Sequence, residues 1–196
     1  MRSPKATGWG RSAAKVPASV PAGVLATVTM DVAMVLASCC LGRVFTSDKL
    51  GPEMIGRWAG GLARGRWRCL DGAAGRRADI TTEPRQPGEL AIGLAVHYLT
   101  GIALAQVYFT LLRPARIRPR PAAAVPMATA YGLATAVLPL VVMYPSMGYG
   151  CCGRRSGDAA RLLRIMLLGH GAFGAGLGLA TVLLGGWDAP VTRPEG

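Results

Sequence analysis

The sequence predicts an all-α membrane protein, a four-transmembrane-helix bundle. Three observations carry this. Hydrophobic residues make up 51% of the 196-residue chain and charged residues only 16%, whereas soluble domains carry about 25% charged residues. Four separate runs are apolar over the roughly 20 residues that a helix needs to cross a bilayer. None of the four alternates with a period of two, which argues against strands. Glycine is abundant, at 27 residues, as expected where helix backbones pack closely in lipid.

Residues 1–20 are basic and rich in Ser, Ala and Pro, the composition of a disordered leader. The first span covers 21–41, PAGVLATVTMDVAMVLASCCL. A long segment, 46–89, follows. It is expected to be mostly irregular, with EMIGRWAGGLARGRWRCL as a short interfacial helix and Trp58 and Trp67 at headgroup level. The second span covers 90–112 and the third 122–144, where Pro126 and Pro139 interrupt the helix. YPSMGYGCCG closes the third span as a turn, with Tyr144 and Tyr149 expected at the interface. The fourth span covers 165–184, and 188–196 form a tail. Residues 21–187 thus make one transmembrane domain. A rival reading takes LASC, residues 36–39, as a lipoprotein signal acylated at Cys39. Asp31 interrupts the apolar core of such a signal and three more spans follow, so the run is read as a retained helix.

The net charge of +12 would point to nucleic acid in a soluble domain. Here most of the basic residues flank the apolar runs, as membrane insertion itself produces. The expected partner is therefore the lipid bilayer and no nucleic acid is expected; oligomerisation and any small-molecule or ion ligand stay open. The acid-free loop RPARIRPR between the second and third spans favours termini in the cytoplasm by the positive-inside rule, while the longer segment on the other side carries more basic residues, so the orientation stays open.

A charge at mid-membrane costs about 2.5–3.5 kcal/mol on insertion scales, so Asp31 needs protein or water around it. Gly23, Thr27, Asp31 and Ser38 recur at helical spacing and share one face of the first span. The second span repeats the pattern with Gly93, His97, Gly101 and Ala105, and the fourth with His170, Gly174, Gly178 and Thr181. Small residues let backbones approach, so the three stripes are expected to meet, with Gly93, Gly101, Gly174 and Gly178 as packing positions. At about 1.5 Å per residue, Asp31, His97 and His170 fall in one layer towards the same side of the membrane. The candidate intramembrane site is therefore Asp31, His97, His170 and Thr27. Two imidazoles and a carboxylate are metal-ligand types. No two of them share a helix at chelating spacing, and neither metal nor cofactor is expected.

Other signals are weaker. Cys39-Cys40, Cys69 and Cys151-Cys152 contain no C-x-x-C; adjacent cysteines chelate poorly and are read as filler or loop thiols, with a bridge between the two pairs open on an oxidising side. Glu89 opens the second span as a partner for the helix dipole, the alternative being a gate. Gln106 lies off the His97 face and is assigned to another contact. GAFGAGLGLA lacks the spacing and the preceding strand of a nucleotide loop. No nucleophile–base arrangement, P-loop or zinc-protease motif occurs.

Several short pieces taken together carry a resemblance: Ala26-Thr27 with Met30-Asp31, Gly56-Arg57-Trp58, Gly88-Glu89, His97-Tyr98 with Gly101, Gly132, Thr135 and Pro139, Met143, Pro145, Met147-Gly148 and Gly150, then Arg161, His170, Phe173-Gly174 and Gly176-Leu177. Over residues 22 to 187 the chain resembles a family of small bacterial integral membrane proteins known as domain of unknown function 2938. The resemblance implies a multi-pass protein of the bacterial inner membrane with no assigned reaction. Where the family often has histidines after Gly-Arg-Trp, this chain has Gly61 and Cys69; where it often has glutamine before the Met-Gly proline, this chain has Tyr144. Three functional classes remain: a small transporter or proton- or ion-coupled carrier, a membrane-embedded enzyme, and a structural or partner subunit of a membrane complex.

Overall fold

The computed structural model describes residues 17–42, 47–66, 79–112 and 121–184. Of the segment 1–20 expected to be disordered, residues 1–16 lie outside them, as do Trp67, Cys69, the loop 113–120 and the tail 188–196, while Ser19 and Val20 already belong to a helix. Among the described residues every regular element is helical. The helices are α1 (Ser19–Leu41), α2 (Pro52–Ala63), α3 (Glu89–Leu112), α4 (Pro121–Thr135), the short α5 (Tyr144–Ser146) and α6 (Ala159–Leu183). Four stretches are long and apolar enough to cross a membrane: Ser19–Leu41, Glu89–Leu112, Ala122–Ser146 and Ala159–Leu183.

α6 starts at Ala159 rather than Ile165. Its first turns carry Arg161 and Arg164, which hydropathy alone excludes from a span. Asp158 caps the end by accepting from Arg161 N at 3.2 Å, as a carboxylate at an N-cap does. The third span is helical through Pro126, then opens into a π turn at Pro139–Met143 before α5. Pro139 has no N–H for the carbonyl one turn earlier, and the wider turn absorbs that loss.

α1 packs between α3 and α6, α6 packs between α1 and α4, and α2 lies on α3. Tyr131 of α4 reaches α3, donating to Leu104 O at 2.8 Å. The bundle interior is small and aromatic: Ala22, Ala26, Ala105, Tyr108, Phe109, Ala128, Phe173, Leu177 and Ala180. A side chain at Gly23 would sit 2.5 Å from Ile102 Cα, and one at Gly178 2.5 Å from Val125 Cα. Distances that short leave no room for a β-carbon, so both interfaces require glycine.

A second core caps one end of the bundle, built from Ile80, Leu140, Tyr144, Met147, Tyr149, Leu162 and Met166. The segment between the first two spans is therefore not mostly irregular where it is described. α2 lies antiparallel on the start of α3, with Gly56 against the Glu89 carbonyl and Gly93 against the Pro52 carbonyl. A 3-10 turn at Ile80–Thr82 joins the cap through Ile80 N to Met147 O, 2.9 Å. Trp58 does not anchor this helix by its indole alone: its Nε1–H donates to Ser146 Oγ at 2.8 Å. Tyr144 and Tyr149, expected at the interface, are both 0% exposed. Each phenol found a partner inside the protein, Tyr149 OH donating to Lys49 O at 3.0 Å and Tyr144 OH to Leu162 O at 3.4 Å. Burial pushes the Tyr149 phenol well above its ordinary pKa.

Candidate functional site

The close approach of α1 and α3 sets the site. Gly23 rests on Gly101 and Ile102, and Gly101 rests on Thr27. The helices run antiparallel, so the next turn of α1 brings Asp31 opposite His97. Asp31 Oδ1 lies 2.9 Å from His97 Nε2, and Tyr98 OH donates to Asp31 Oδ2 at 2.9 Å. The His97 and Tyr98 rings stand edge to face with centroids 5.7 Å apart. Both carboxylate oxygens are thus held from α3, and with Asp31 ionised His97 Nε2–H donates. The Asp31 side chain nevertheless stays 42% exposed, against 19% for His97. One turn beyond Asp31, a shallow groove of about 340 Å³ opens between α1 (Met34, Val35, Ser38, Cys39), Ser47, Leu50 and Ile165.

The other predicted members are placed elsewhere. Thr27 is buried and donates to Gly23 O at 2.8 Å; it supports the α1–α3 contact rather than the carboxylate. His170 faces α4: its Nδ1 is 2.9 Å from Thr135 Oγ1 and 3.2 Å from Gly132 O. The reason lies in α6, which carries two separate glycine faces. Gly169 meets Met30 and Gly176 meets Thr29 and Ala26 on α1. His170, Gly174 and Gly178 belong to the other face, where Gly174 meets Ala128 and Thr129 and Gly178 meets Val125 on α4. The stripes of the first and second spans do meet, at Gly23, Thr27 and Gly101. Gly93, at the upper end of the second stripe, packs on α2 instead. Gln106 serves a separate contact, accepting from Ser19 Oγ at 2.6 Å.

Two residues escaped the sequence reading. Tyr98 follows His97 directly, and neighbours on a helix do not share a face; only its place in the His97-Tyr98 piece marked it. Arg57 looked like one more flanking charge. It is 3% exposed and pairs with Glu89, itself 7% exposed. The pair is bidentate, Nε to Oε2 at 2.9 Å and a terminal nitrogen to Oε1 at 2.8 Å. The other terminal nitrogen donates to Glu83 O at 3.0 Å and Ile80 O at 3.3 Å, and Gln86 N donates to Glu89 Oε2 at 3.0 Å. Glu89 stands in the first turn of α3, where an acid suits the helix dipole. It is the locked half of an ion pair that fixes the cap to α3, and the hydrogen bond to it holds the Arg57 guanidinium above its ordinary pKa.

Four spanning helices with a small cap over one end define a multi-pass membrane protein. The model of the family described as protein of unknown function, DUF2938, matches residues 20–184, and the chain belongs to that family. No curated protein and no solved structure matches it.

Proposed function

We propose that this protein is a small proton-coupled carrier in which Asp31 takes up and releases the proton. One observation carries the reading. A carboxylate halfway along a spanning helix has a donor on each oxygen and still stays 42% exposed. An acid kept only to lock helix register gains nothing from exposure, because each unsatisfied polar group is costly in lipid. An acid that exchanges protons needs an open side that a water-filled path can reach. In this reading His97 is the exchange partner. Its Nε2 donates to the ionised carboxylate and accepts from the protonated one, the tautomer reversing with the proton. Tyr98 positions the carboxylate in both states. The groove at Met34, Val35, Ser38 and Cys39 supports access from the capped side. The bacterial inner membrane is the location that goes with this reading, carried by the family resemblance.

The test is proton flux into liposomes holding the purified protein, followed with a trapped pH dye. Asp31→Asn keeps an acceptor for Tyr98 but has no titratable group. Flux is expected to fall at least tenfold while the thermal midpoint stays unchanged. Equal flux in wild type and variant, or a flux loss explained by unfolding, contradicts the reading and leaves Asp31 a structural residue.

A further inference from the structure

Adjacent cysteines ordinarily chelate poorly because extended or helical backbone turns their side chains apart. The pair at Cys151-Cys152 is an exception with a visible cause. Cys152 has φ +54° and ψ +24°, and it is the sole non-glycine residue with positive φ among the described residues. Around it the same turn uses glycine for this conformation, at Gly148, Gly150, Gly153 and Gly157. A β-carbon in the left-handed region costs free energy, and such strain is retained chiefly at functional positions. Here it swings the two thiols onto one side, with Sγ–Sγ at 3.7 Å. Two thiolates about 2.3 Å from a shared soft centre, at angles of about 100–109°, lie about 3.5–3.8 Å apart. The pair therefore already has the bite of a bis-thiolate.

The turn that holds it is tied down. Arg155 N donates to Tyr149 O at 2.7 Å and Gly153 N to Gly150 O at 3.0 Å. Cys152 packs on the cap core while Cys151 is exposed, so the site is both preorganised and reachable. Arg154 and Arg155 stand beside it, both exposed. Their charges disfavour an incoming dication and leave a neutral thiophile unaffected.

We infer that Cys151 and Cys152 form a vicinal-dithiol binding site for a neutral trivalent arsenical. In its hydrated form, such a ligand carries two hydroxyls on arsenic. Two As–S bonds form and two As–O bonds break; each thiol proton leaves with a hydroxide as water. Arsenic stays trivalent, both sulfurs stay reduced, and no oxidant is required. The site is independent of Asp31.

The experiment uses phenylarsine oxide on the full chain in detergent, with Cys39, Cys40 and Cys69 replaced by serine so that one pair remains. Bound reagent is counted by intact-protein mass spectrometry. One equivalent per chain is expected, resistant to a monothiol and removed by a dithiol. Cys151→Ser and Cys152→Ser should each abolish the resistant adduct. Cys152→Gly should abolish it while leaving the thermal midpoint equal or higher, since glycine accepts the left-handed conformation. Zinc at the same concentration should displace none of the reagent. Retention of the adduct in either serine variant overturns the site. So does a resistant adduct that forms only when the helical Cys39-Cys40 pair is restored. Displacement by zinc overturns the choice of a neutral ligand.

Discussion

Two carboxylates, Asp31 and Glu89, sit on neighbouring helices of the same bundle and are treated in opposite ways. Glu89 accepts from two guanidinium nitrogens and a backbone amide and is 7% exposed. Asp31 has one imidazole and one phenol and is 42% exposed. The full set of donors around Glu89 leaves it no freedom to change protonation without breaking the cap. The open side of Asp31 is what the proposed proton exchange rests on. Besides their depth, the two differ in how many donors surround each carboxylate and in whether a guanidinium is among them.

The comparison predicts a descending series of effects. Arg57→Ala strands Glu89 in the cap, and breaking a buried pair from one side costs about 3–5 kcal/mol; denaturation in detergent should show it. Arg57→Met combined with Glu89→Leu removes both charges and should recover most of that loss, because no unpaired ion remains. If the double variant is as unstable as the single, the pair's strength lies in the backbone carbonyls that Arg57 also holds. Next comes Gly93→Val. A side chain there strikes the Pro52 carbonyl, and overpacking typically costs about 1–3 kcal/mol. Proteolysis between the first two spans should quicken as α2 lifts from α3. Asp31→Asn should then change stability by no more than about 0.6 kcal/mol, the average for a polar contact between membrane helices. Tyr98→Phe is expected to be smaller again in stability, and to slow proton flux without abolishing it, since the His97 contact survives.

The spans and the Asp31 half of this contrast were legible in the sequence, and the parts that were not have physical reasons. The spans follow from hydropathy, and the Asp31–His97 contact follows from stripes at helical spacing with glycine four residues away. His170 did not follow, because α6 carries small residues on two faces and spacing cannot say which neighbour each face meets. Arg57 did not follow either. Outside an apolar run a basic residue reads as a flanking charge, and only the fold shows α2 laid on α3 with Gly56 against Glu89. The interfacial reading of Tyr144 and Tyr149 failed for a related cause: an amphipathic ring suits a headgroup layer, but a cap above the bundle offers the same ring a buried partner.

The most direct test is to ask which of the two carboxyls takes up a proton. Infrared difference spectra of the protein in lipid, recorded as pH is lowered, report the C=O stretch of a newly protonated carboxyl. A band should appear that is absent in Asp31→Asn and shifted in His97→Gln, and it should remain in Glu89→Gln. A titrating band that survives Asp31→Asn, or no band that depends on Asp31 at any pH at which the protein stays folded, would contradict the claim that this acid is the exchanging one.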